Sequence, residues 1–165
     1  MRHKPSFLLW KQTQKTGMNT LKEFFVKKYG FDMELVRTLV VKYPFILSKT
    51  EEHLESVFTS LEKQGVSRLE SIKLIFECPK LISVDLDKTI SETFTLFELY
   101  HKIKQQEVME IFRHFPYLFC CDLTKMRVLL AQFRKYRFTN EQILHLVRNL
   151  MHNLTSYSAN TPMAC

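Results

Sequence analysis

Apolar residues return every three or four positions along most of this chain, the spacing that gathers them on one side of an α-helix. In residues 20–29 the set is Leu21, Phe24, Phe25 and Tyr29. Beyond Gly30, Asp32 reads as a helix cap, followed by the stripe Leu35, Val36, Leu39, Val40 and Tyr43. Residues 50–64 carry Leu54, Val57, Phe58 and Leu61 inward and Glu51, Glu52, Glu55 and Glu62 outward. Residues 87–100 carry Ile90, Phe94 and Phe97, and the next helix Val108, Ile111, Phe112 and Phe115. Residues 124–136 carry Val128, Leu130 and Phe133, and Thr139 with Gln142 forms a capping box ahead of Ile143, Leu146 and Val147.

The helices are punctuated at a nearly fixed interval. Residues 30–47 read GFDMELVRTLVVKYPFIL, residues 65–82 GVSRLESIKLIFECPKLI and residues 102–119 KIKQQEVMEIFRHFPYLF. In the first two the proline stands fourteen residues after the glycine, and in the third fourteen residues after Lys102. A fourth copy, residues 137–154, has Arg137 in the glycine slot and Met151 in the proline slot. Pro5-Ser6-Phe7-Leu8 reads as the closing tail of a further copy, so Pro5, Pro44, Pro79 and Pro116 are spaced by 39, 35 and 37 residues. Glycine supplies positive φ after a helix, and proline stops the next helix by lacking an amide. A period of this length predicts an array of helix pairs, each unable to bury its stripe alone.

Three glycines and five prolines in 165 residues leave little room for hairpins, and the class is all-α. Residues 20–154 form the repeat domain. Residues 1–19 are either a partial repeat or a presequence: Arg2, Lys4, Lys11, Lys15 and Lys22 precede the first acid, Glu23, but the PxLL-like fit at Pro5 favours the partial repeat. The polar composition of residues 155–165 predicts a disordered tail.

Charge adds a partner class. The net charge is +7, divided as +6 over residues 1–42, −4 over 43–100 and +5 over 101–165. Basic ends favour a polyanion, while the acidic middle argues against one continuous basic stripe. No apolar run reaches the length of a membrane span. Cys78, Cys120, Cys121 and Cys165 show no CxxC spacing and read as reduced thiols, Cys78 in the core. His114 with Cys120 and Cys121 lacks a fourth ligand at a familiar spacing, so no metal site is expected. No Ser-His-Asp order, glycine-rich phosphate loop or carboxylate pair is visible, which points away from an enzyme.

The recurring unit of glycine, capped helix and PxLL-like closure (PFIL, PKLI, PYLF) resembles the mitochondrial transcription termination factor family, mTERF, over roughly residues 20–154. The resemblance implies a helical-repeat solenoid of two-helix units, each closed by a proline-containing 3₁₀ turn. It further implies mitochondrial or plastid residence and binding of double-stranded DNA or structured rRNA. The roles implied are transcription regulation or termination and ribosome assembly, with no catalytic activity, cofactor or metal. An organellar ribosome or a methyltransferase-type protein is the kind of protein partner implied. The alternative reading is a protein-interaction solenoid, such as a structural subunit of an organellar ribosome. The short array and the missing glycines and proline of the later copies set this chain apart from the family pattern.

Candidate contacts to a polyanion are cations that recur on the second helix of each unit: Arg37, Lys42, Lys73, Arg113 and Arg148. A second set, Lys80, Lys88, Lys125, Arg127 and Arg134, lies on the turn after Pro79 and on later first helices, where lysine and arginine are common in any soluble helix and solvation is the favoured explanation.

Overall fold

A computed structural model describes the backbone of residues 7–158 and the side chains of residues 7–149. Within these residues every regular element is helical. They are α1 (Phe7–Leu21), continued by a π-helical segment Lys22–Lys28, α2 (Met33–Lys42), α3 (Glu51–Lys63), α4 (Arg68–Glu77), α5 (Leu86–His101), α6 (Gln105–His114), α7 (Leu123–Lys135) and α8 (Asn140–Ser158). Three 3₁₀ turns, Pro44–Ser48, Pro79–Ser83 and Pro116–Cys120, follow α2, α4 and α6. The chain is thus the all-α helical repeat that its punctuation predicts.

The three proline turns are superimposable in their backbone description. Tyr43, Cys78 and Phe115 precede them at φ −138, −134 and −137° with ψ 76, 75 and 76°. Each of these residues still donates its own amide to the carbonyl four back, at 2.8 Å in all three copies. The third residue of each turn, Ile46, Leu81 or Leu118, is then driven into the core. That is the physical content of the PxLL pattern: the proline ends the helix and the next apolar residues fold back under it.

The glycine slots are equally regular. Gly30 and Gly65 have φ of +74 and +75°, and Lys102 and Arg137 hold the same left-handed backbone at +52 and +56° without glycine. The fourth copy has no proline turn: α8 runs unbroken past position 151 to Ser158, because nothing there removes an amide from its ladder. The tail expected from residue 155 therefore starts no earlier than 159, and its remainder lies outside the described residues, as do Pro5 and Ser6.

By packing the chain divides into two compact units, Met1–Arg68 and Leu69–Cys165. The first is built on an aromatic cluster. Phe24 lies 5.1 Å from Phe25 and 5.6 Å from Phe58, and Tyr29 stacks on Phe58 at 4.6 Å. Its first helix begins at Phe7 rather than near residue 20, so residues 7–19 belong to an ordered helix. Gly17 permits this: a Cβ there would overlap the Leu47 carbonyl oxygen and stand 2.9 Å from the carbonyl carbon, so α1 rests on the backbone of the Pro44–Ser48 turn. Leu35, expected in the stripe of α2, is 48% exposed, and the buried positions are Val36, Leu39 and Tyr43.

In the second unit Phe112 and Phe119 pack at 4.4 Å and Phe94 lies 6.1 Å from Phe119. Asp85 and Asp122 cap α5 and α7, one or two residues ahead of the expected starts. Val128 is exposed, and Met126 takes its place beside Leu130 and Phe133. The stripe simply has another phase on the same helix. His101 is buried and its Nε2 lies 2.8 Å from the Leu130 carbonyl, which can only accept, so Nε2 carries the proton. Cys78 and Cys120 bring their sulfurs to 3.7 Å between the Pro79 and Pro116 turns, and the hydrogen bond between them, with burial, pushes the Cys120 thiol far up.

Two predictions follow from the first unit. Gly17→Ala should destabilise it by about 1–3 kcal/mol through overpacking, outweighing the roughly 1 kcal/mol that alanine adds to a helix interior; urea melts decide, and a stabilised variant would refute the close approach. Tyr29 donates to Glu55 at 2.9 Å, and burial followed by that bond pushes its phenol up to about 12 from an ordinary 10.0. A raised value favours the protonated phenol in the fold, so its contribution is full below pH 10 and lost as pH rises through about 12. Tyr29→Phe should therefore cost about 1 kcal/mol at neutral pH, remove a phenol that ionises near pH 12 from an ultraviolet titration, and lose its disadvantage to the parent as pH rises through about 12.

Candidate nucleic-acid interface

The second-helix cations stand where the repeat places them, but in company with carboxylates. In the first unit Arg37 on α2 pairs with Glu34 one turn back at 3.1 Å, and Lys42 ends the same helix 5.9 Å from the Tyr43 ring. In the second, Lys73 on α4 approaches Glu77 at 3.8 Å. Arg113 on α6 reaches across to Glu70 on α4 at 3.1 Å, and Arg148 on α8 reaches Glu110 on α6 at 4.0 Å. Arg113 thus joins α6 to α4, and Arg148 joins α8 to α6. With side chains about one-third to two-thirds exposed, such pairs contribute on the order of 0.2–1 kcal/mol each. Their positive field is partly cancelled at short range, and a phosphate must compete with the resident carboxylate.

The other set differs. Between Asp122 and Glu141 there is no acid, while Lys125, Arg127, Arg134, Lys135 and Arg137 supply five cations. Arg127 and Arg134 are seven residues apart on α7, two turns and roughly 10 Å, and so share a side of the helix. Met126, Leu130 and Phe133 turn the adjoining side, roughly a quarter-turn round the helix, into the core. Among the described residues none of these five cations forms an ion pair, and all five are exposed. Lys80 sits half-buried on the Pro79–Ser83 turn, and Lys88 is exposed in the first turn of α5. Only a reading of where the acids are absent, rather than where the cations recur, separates α7 from the second-helix series.

The remaining features offer less to a polyanion. A shallow groove in the first unit, between α1 and the Pro44–Ser48 turn, is lined by Gln12, Thr13 and Thr16 and by the acids Glu23, Glu51 and Glu52. His114 is exposed, and no group of three His, Cys, Asp or Glu side chains is placed to hold a metal among the described residues. No helix among them is long and apolar enough to cross a membrane.

The mTERF family model matches the chain twice, over residues 4–85 and 52–161. The shared segment, 52–85, is what an internal repeat produces, since one unit can end one match and begin another. No curated protein and no solved structure matches the chain.

If Arg113 joins α6 to α4 through Glu70, a double-mutant cycle on Arg113→Ala and Glu70→Ala should return a coupling of about 0.2–1 kcal/mol that shrinks as salt rises. A cycle that closes at zero at low ionic strength would show the two groups to be independent.

Proposed function

Because the chain belongs to the mTERF family, we propose that it binds double-stranded DNA or structured rRNA in a mitochondrion, or a plastid, and acts there in gene expression. The family carries a general organellar nucleic-acid-binding role; transcription regulation or termination and ribosome assembly are the forms it takes in this proposal. The observation that supports it most is the acid-free run on α7 and the turn after it, where exposed, unpaired cations are backed by a packed helix face. Binding there is electrostatic. Each phosphate neutralised releases condensed counterions, so affinity falls steeply with salt and sequence enters only weakly.

A second reading is docking to protein, as in a structural subunit of an organellar ribosome. It is favoured by the exposed apolar residues Phe7, Leu8, Leu9 and Trp10 at the start of α1, where the rings of Phe7 and Trp10 stack at 6.0 Å. Apolar docking is nearly indifferent to salt. The two readings therefore separate in one titration.

Mobility-shift measurements on a DNA duplex and an RNA hairpin, from low to moderate salt, should give a log–log slope of several units. Arg127→Ala and Arg134→Ala should each lower that slope by about 0.9 on duplex DNA, more than Lys11→Ala or Lys15→Ala do. A parent slope near zero on both probes would remove the nucleic-acid reading and leave the protein-docking one.

A further inference from the structure

We infer that Lys102 and Arg137, the two cations that occupy left-handed turn positions, form with Arg134 a phosphate-contacting edge of the second unit, directed at the sugar–phosphate backbone. This deepens the nucleic-acid reading and rests on it. The starting observation is the backbone. All four helix-pair turns close in the same way, with the residue after the left-handed position donating back into the first helix: Phe31 to Phe25, Val66 to Leu61, Ile103 to Phe97 and Phe138 to Phe133, at 2.9, 3.1, 3.4 and 3.0 Å. In the first unit the left-handed residue is glycine. In the second it is Lys102 and then Arg137.

A side chain in this conformation crowds the following carbonyl, and where glycine is absent asparagine is the usual substitute. Neither turn uses it; both carry a long cation instead. Strain kept at a surface turn, in the same chemical form twice, points to a contact made by that side chain.

The two positions are brought to one edge of the unit. Short connections reverse the chain at 102–104 and again at the Pro116–Cys120 turn, so α5 and α7 run in the same direction. The buried His101 ring holds the end of α5 2.8 Å from the Leu130 carbonyl. Lys102 is the next residue after His101, and Arg134 lies one helical turn beyond Leu130, roughly 6 Å along α7. Arg137 follows in the turn itself. All three are exposed, and none has an ion-pair partner among the described residues, although Glu98 and Glu141 stand about one turn away along the chain. The backbone under both turn cations is tied by its own amide, Lys102 to the Glu98 carbonyl at 2.9 Å and Arg137 to the Arg134 carbonyl at 3.1 Å. A cation rooted in a fixed turn loses less freedom on meeting a phosphate than one on a frayed end.

The test uses the full chain and the variants Lys102→Gly, Arg137→Gly and the pair, which relieve strain while removing charge. The expected result is a combination that a merely structural residue does not give: a higher melting temperature together with a log–log salt slope lower by about 0.9 per variant on a DNA duplex, and lower in the same order on an RNA hairpin. The two probes distinguish DNA from RNA as the source of the phosphates. Lys102→Asn and Arg137→Asn, which suit the turn without the charge, should behave as the glycine variants do. A parent that binds with a steep slope, and glycine variants that leave the slope unchanged, overturn this edge but not the nucleic-acid reading. A parent that binds neither probe overturns both.

Discussion

Each second helix that ends in proline does so because that residue has no amide for the helix ladder and disfavours helical backbone in the residue before it. The constraint is local, but what it does is not. By stopping α2, α4 and α6 at the same phase, it returns Ile46, Leu81 and Leu118 to the interior and sets the start of the next first helix. Register in the array therefore comes from covalent geometry more than from the particular apolar side chains that fill it. The fourth copy supplies the contrast. With methionine at 151 the helix runs on, and no 3₁₀ turn forms.

Much of this was legible because glycine and proline act on the backbone itself and leave a mark at a fixed position. What was not legible depended on side-chain phase or on distant backbone. The adjacent pair Leu35 and Val36 offers two possible stripes, and tertiary packing chose the one that leaves Leu35 outside. Val128 and Met126 present the same ambiguity on α7. Gly17 carried no signal at all, since its role is set by the carbonyl of Leu47, thirty residues away in sequence. The buried His101 was likewise invisible, because its partner is a helix carbonyl on α7.

The candidate site was only half readable for a related reason. Sequence spacing found the recurrent cations, and the structure places them on the expected helices. Spacing says nothing about carboxylates on the neighbouring helix, and Glu70 and Glu110 are what distinguish Arg113 and Arg148 from Arg127 and Arg134. Net charge is a sum, whereas a phosphate experiences the local difference. A region of modest total charge but no interspersed acid attracts a polyanion more effectively than a longer series already satisfied internally.

The two sulfurs at Cys78 and Cys120 sit between consecutive proline turns, in the seam on which the repeat register depends. Cys78 is fully buried, and the Cys120 thiol is held protonated well beyond neutral pH, so neither is an effective nucleophile while the seam is closed. An alkylating reagent can reach Cys78 only in molecules whose turns have parted. The modification rate of Cys78 is accordingly a clock for the opening of one repeat against the next, running on a native chain at neutral pH and needing no introduced label.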